Sequence, residues 1–160
     1  MKKLLLTITF AICCTNVSAQ DFNKGVNAYI AGDYATAFKE WKHLAEKGNA
    51  EIQDRIAEMY LEGLGVLRDP REALKWFRLS AEQGNMSAQL GLGNMYKFGI
   101  GVLKDQLSAH MWYNISAANG NKTAGRFRDE DEANMSSKDI SKATEMAREC
   151  MASDYKKCGY

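Results

Sequence analysis

Apolar residues along the chain recur at helical spacing in successive paired segments. In the clearest pair, Ile52 and Ile56 lie on one face of a helix predicted over residues 50–62. The next segment places Trp76 and Phe77 on the buried face of a second helix. The pattern therefore predicts helix pairs rather than strands.

Turn residues mark where these predicted helices end and begin. Gly63 closes the first helix, because glycine adopts the left-handed backbone conformation without steric cost. Asp69 is suited to cap the second helix, with Pro70 at its first position and Glu72 completing a capping box.

The helix pair is a repeat. Residues 49–84 align with residues 85–120 without a gap, and 14 of 36 positions are identical. A shorter unit of about residues 21–48 precedes them, and a divergent, more polar unit covers residues 121–160. This period predicts an all-α fold, an α/α solenoid of about three and a half helix-turn-helix repeats.

The first 19 residues have the pattern of a cleaved signal peptide. Lys2 and Lys3 precede an apolar run over residues 4–14, and small residues lead to a cleavage site between Ala19 and Gln20. The run is too short for a membrane anchor. We therefore expect export, either to the periplasm or into the medium, and a mature repeat domain of residues 20–160.

Composition and chemistry narrow the possible functions. Without the signal peptide, 19 basic residues face 20 acidic ones, which argues against a nucleic-acid partner, and no later run is long enough to span a membrane. We expect no cofactor, no metal and no catalytic residue, because no motif for them is found. His43 and His110 are interpreted as partly exposed scaffold residues, and the acidic residues 129–132 as a solvated helix face.

Residues 49–84 and residues 85–120 share one sequence pattern. In order along the chain it reads M-Y, G-x-G-V, D, A-x-x-W-[FY], A and G. It resembles the Sel1-like repeat family, whose members are related to tetratricopeptide repeats. The resemblance implies a solenoid that acts by binding another protein.

Two cysteines remain after signal cleavage, Cys150 and Cys158. In an oxidising compartment such a pair indicates a disulfide. In the cytosol the same pair would instead indicate metal binding or redox chemistry. The resemblance implies a disulfide, since cysteine-rich members of the family bridge a helix to the following segment at this spacing. A continuous helix would separate the two residues by about 12 Å, so the chain must reverse near residues 152–154.

The resemblance to tetratricopeptide repeats also implies a concave binding face on the first helix of each pair. Its candidate partner-binding residues are Glu51, Asp54, Glu58, Leu61, Glu62, Ser87, Leu90, Asn94, Lys97 and Phe98. Such a face suits a partner segment with basic and apolar residues. The same positions are also compatible with ordinary solvated surface.

These observations predict an exported adaptor or scaffold that binds a protein, without enzymatic activity. Two other functions stay open: a periplasmic inhibitor or immunity-type protein that sequesters a toxin or enzyme, and a cell-wall or β-lactam-binding hydrolase-like protein. The second lacks a recognisable nucleophile–base pair. Neither the identity of the partner nor self-association through the solenoid ends is decided by the sequence.

Overall fold

A computed structural model describes residues 20–159, and within that range the chain forms eight helices and no strand. The helices are α1 (20–30), α2 (Tyr34–Glu46), α3 (Ala50–Glu62), α4 (Pro70–Ala81), α5 (Met86–Phe98), α6 (Gln106–Ala118), α7 (Lys122–Glu132) and α8 (Ser137–Ala152). The predicted all-α solenoid is confirmed. The predicted signal peptide, up to Ala19, lies outside the described residues.

Side-chain caps start the helices at repeat-equivalent positions. Asn49, Asn85 and Asn121 cap α3, α5 and α7 at intervals of one repeat. Asp69 and Asp105 do the same for α4 and α6. Each side-chain oxygen accepts a backbone N–H that the helix itself cannot satisfy, so the caps fix the start of each helix.

The capping box predicted for α4 forms only in part. Asp69 Oδ1 accepts from the backbone N–H of Glu72 at 3.2 Å. The reciprocal bond is not made, because the backbone N–H of Asp69 donates to the Tyr60 carbonyl at 2.9 Å. The Glu72 carboxylate pairs with Lys75 instead. The loop thus uses the Asp69 amide to fasten α4 to the end of α3.

The core lies between the helices of each pair and between successive pairs. Helix α4 packs against both α3 and α5, and α6 packs against α5, α7 and α8. A buried glutamine ties each central pair to the preceding one: Gln53 Nε2 donates to the Ala45 carbonyl at 3.0 Å, and Gln89 Nε2 to the Ala81 carbonyl at 3.2 Å. Because these amides are buried, losing either bond would leave polar atoms unsatisfied.

The Gly-x-Gly loops have a packing role. Gly65 has φ 70°, and a Cβ atom there would lie 2.1 Å from the Tyr34 carbonyl oxygen. Gly101 also has φ 70°, and its Cβ would lie 2.5 Å from the Pro70 carbonyl oxygen. Only glycine allows each loop to approach the preceding helix pair this closely, which accounts for the motif without any phosphate-binding role.

The chain reverses after α8 and folds back on the third helix pair. Asp154 and Tyr155 take left-handed conformations, with φ of 55° and 61°. Cys150 and Cys158 form a disulfide with their Cα atoms 4.5 Å apart. Asn119, at the end of α6, donates to the Tyr155 hydroxyl at 2.9 Å. The disulfide and this bond fasten the C-terminal segment to the solenoid.

Candidate functional site

The predicted concave-face residues differ widely in their accessibility. Exposed positions are Glu51, Glu62, Ser87 and Phe98; half-buried ones are Glu58, Leu61, Leu90, Asn94 and Lys97; Asp54 is buried. The structure therefore offers nine of the ten positions, in whole or in part, to a partner.

Asp54 is the exception, and its proposed contact with a partner needs correction. It is 5% exposed, and its Oδ1 atom is buried without a hydrogen-bond partner in the described part of the chain. Burial, helped by the nearby Glu58 carboxylate, raises the pKa of Asp54 to about 7. A side chain this enclosed gives a partner little to touch.

Four of the predicted residues line one cavity of about 490 Å³ on the face formed by α3, α5 and α7. Leu61 comes from α3, and Asn94, Lys97 and Phe98 come from α5. The wall is completed by residues outside the predicted set: Ile100, Tyr113, Phe127 and Glu130. Three helices of successive repeats thus contribute to a single concave site.

Three of the eight residues that line the cavity are aromatic, and a neutralised cation lies among their rings. Lys97 Nζ lies 5.8 Å from the ring centroids of Phe98, Tyr113 and Phe127. The same atom is 2.8 Å from Asp131 Oδ1, and Asp131 is almost fully buried. Since Asp131 balances its charge, Lys97 contributes mainly its aliphatic stem to the wall.

A hydrogen bond fixes the orientation of Asn94. The Tyr113 hydroxyl donates to Asn94 Oδ1 at 2.8 Å. Burial raises the pKa of Tyr113, and the carboxylates of Asp131 and Glu130 raise it further, so this hydroxyl keeps its proton. The amide nitrogen of Asn94 is then the donor that remains for a molecule in the cavity.

The sequence contained a signal for one of the missed residues. Glu130 lies one repeat beyond Asn94, which itself lies one repeat beyond Glu58. Extending the alignment into the divergent fourth unit would have found it. Tyr113 belongs to the second helix of its pair and Phe127 has no apolar equivalent in the earlier units, so neither could be found in this way.

The acidic segment 129–132 is not a solvated face throughout, because Asp131 is buried and Glu132 is half-buried, which corrects the earlier interpretation. Asp131 and Glu132 stand where the two central repeats have Met-Tyr. Asp131 pairs with Lys97, and Glu132 Oε1 lies 3.1 Å from His110 Nε2. His110 was expected to be partly exposed, but it is 0% exposed. An ion pair and a histidine–carboxylate hydrogen bond therefore replace apolar contacts where α7 docks.

A second depression of about 290 Å³ lies at the N-terminal end, where Glu51 meets α1 and Trp41. It takes in only one of the predicted residues. Within residues 20–159, no three side chains of the metal-binding types converge, and none of the helices is long and apolar enough to span a bilayer.

Comparison with known proteins places the chain in a family. The Sel1 repeat model matches residues 50–85 and 87–121. The chain is a Sel1-like repeat protein. Such repeats generally serve as scaffolds for protein interactions. A search of curated proteins finds no match to the chain.

Solved structures share this fold. One is c5321, a protective antigen present in uropathogenic Escherichia coli strains that displays an SLR fold. It is 25% identical in sequence and has a TM-score of 0.78. The match covers 86% of this chain and 31% of c5321. Another is a Sel1 repeat protein from Oxalobacter formigenes, 33% identical, with a TM-score of 0.56 over 57% of this chain and 26% of that protein. This Sel1-like chain thus spans about a third of the length of c5321 and about a quarter of the length of the Oxalobacter formigenes protein.

Proposed function

We propose that this Sel1-like protein is an exported scaffold that binds a partner protein through the concave face formed by α3, α5 and α7. The observation that carries the proposal is the 490 Å³ cavity, which draws its wall from three successive repeats. Concave, mostly apolar sites with a few fixed polar groups are the usual form of binding sites.

Two further features support export and binding rather than catalysis. The disulfide between Cys150 and Cys158 suits an oxidising compartment such as the periplasm. The cavity wall carries hydrophobic side chains, an amide, a neutralised lysine and a carboxylate, which is a set suited to recognition.

The proposal is tested by cross-linking tagged mature protein in its own periplasm and identifying captured proteins by mass spectrometry. The groove variant Phe98→Ala is compared with Leu103→Ala, which removes another exposed apolar side chain from a loop outside the cavity. We expect one saturable partner that is captured by the wild type and by Leu103→Ala but is lost with Phe98→Ala.

The identity of the captured molecule separates the alternatives. A toxin or enzyme that loses activity in the complex would make the protein an inhibitor rather than a scaffold. Recovery of cell-wall fragments, or of the protein itself alone, would contradict the scaffold proposal.

A further inference from the structure

The cavity has an unused hydrogen-bond donor next to an exposed apolar surface. Asn94 lines the cavity, and its Oδ1 atom is occupied by the Tyr113 hydroxyl. Within residues 20–159 the side-chain amide nitrogen of Asn94 makes no hydrogen bond. A backbone carbonyl of a bound segment would satisfy this donor, as the backbone carbonyl is the acceptor that every residue of a peptide carries.

The apolar part of the cavity lies around Phe98, which is 65% exposed at the end of α5. Leu61 faces it from α3 and Phe127 from α7, and both are half-buried. An aliphatic or aromatic side chain entering between these three would remove Phe98 from water.

The charge available to a partner in this cavity is negative. Lys97 is neutralised by Asp131, whereas the exposed Glu130 carboxylate has no ion pair within the described residues. Glu58, one repeat before Asn94, lies outside the cavity wall and is paired with Arg55 at 2.9 Å. Glu130 is therefore the carboxylate that the cavity offers to a partner.

We propose that the cavity binds an extended protein segment in which an apolar side chain has a Lys or Arg close to it in the sequence. The apolar side chain packs on Phe98, a main-chain carbonyl accepts from Asn94, and the cation pairs with Glu130. This inference rests on the proposed function, since it specifies the partner of the same site.

The probe is a phage-displayed library of random 12-residue peptides selected on immobilised wild-type protein. We expect the enriched peptides to combine an aliphatic or aromatic residue with a nearby Lys or Arg. Enrichment of acidic peptides, or of peptides without any charge bias, would overturn the inference.

One enriched peptide is then synthesised and titrated calorimetrically against matched variants. Phe98→Ala and Glu130→Lys should each weaken binding at least about tenfold. Leu103→Ala and Glu46→Lys, which change an exposed loop and the exposed surface of α2, should leave it unchanged. Exchanging the cation of the peptide for a glutamate should restore binding to Glu130→Lys.

Failure of this inference can be told apart from failure of the proposed function. If the periplasmic partner is captured equally well by wild type, Phe98→Ala and Glu130→Lys, a protein-binding role stands and this cavity is not its site. If equal peptide affinity is found for Phe98→Ala and Leu103→Ala, the inference is likewise wrong.

Discussion

Replacing Asp54 with asparagine should remove a pH-dependent loss of stability. The carboxyl is 5% exposed, and burial raises its pKa from 3.8 to about 7. Its folded form thus binds a proton more tightly than its unfolded form. The contribution of this group to stability is fully present below about pH 4 and is lost as the pH rises through about 7.

The size of the effect follows from the shift in pKa. At 1.36 kcal/mol per unit, the change from 3.8 to about 7 corresponds to at most about 4 kcal/mol. Wild type should lose about 1.4 kcal/mol per pH unit from this group between these values. An asparagine side chain carries no titrating proton. The free energy of unfolding of Asp54→Asn, relative to that of the wild type, should therefore rise by up to about 4 kcal/mol as the pH rises from 4 to 8.

Urea unfolding followed by far-UV circular dichroism at pH 4, 5, 6, 7 and 8 measures this difference. The readout is how the gap between Asp54→Asn and wild type changes with pH, so a constant cost or gain from the amide cancels. Glu46→Gln, which neutralises an exposed carboxylate on α2, is the control and should give no such trend. Parallel pH dependences for wild type and Asp54→Asn would refute the reasoning.

Three other changes test how the repeats are held together, each by thermal and urea unfolding. Cys158→Ser should cost about 1–3 kcal/mol in oxidising buffer, since the disulfide closes a short loop; equal melting temperatures would contradict this. Lys97→Leu alone should lower the free energy of unfolding by about 1–3 kcal/mol, because it leaves the buried Asp131 unpaired. Adding Asp131→Met, which restores the residue found in the earlier repeats, should recover most of that stability. Gly93→Ala should lose about 1–3 kcal/mol because its Cβ would lie 2.4 Å from the Tyr113 ring, whereas Gly125→Ala, with its nearest neighbour at 3.8 Å, should gain up to about 1 kcal/mol.

The fold could be predicted because its determinants are local and repeated. The positions of Gly63 and Asp69 fixed the end of one helix and the start of the next, and the same signals recur 36 residues later. Two copies of one pattern agree on each boundary, so a single misleading residue has little influence. The observed bounds of α3, Ala50–Glu62, coincide with the predicted helix.

The candidate site was predicted only in part because accessibility depends on the neighbouring repeat. The resemblance to tetratricopeptide repeats placed Asp54 on the concave face, and the equivalent residue in the next repeat, Leu90, is half-buried. The burial of Asp54 depends on how α3 packs against its neighbours, which the residue type does not reveal. The cavity wall likewise needed Phe127, whose role is visible only once α7 lies beside α5.

The interface of the last helix pair shows how charge can specify a docking partner. Asp131 and Glu132 appeared solvated in the sequence because their counterparts, Lys97 and His110, lie 34 and 22 residues earlier. A buried pair of this kind adds little net stability compared with an apolar contact. We expect its effect to be on selectivity, because a helix with Met at the Asp131 position would leave Lys97 without its carboxylate. The surface beside α5 and α6 is therefore matched to α7, and this keeps the wall of the cavity in place.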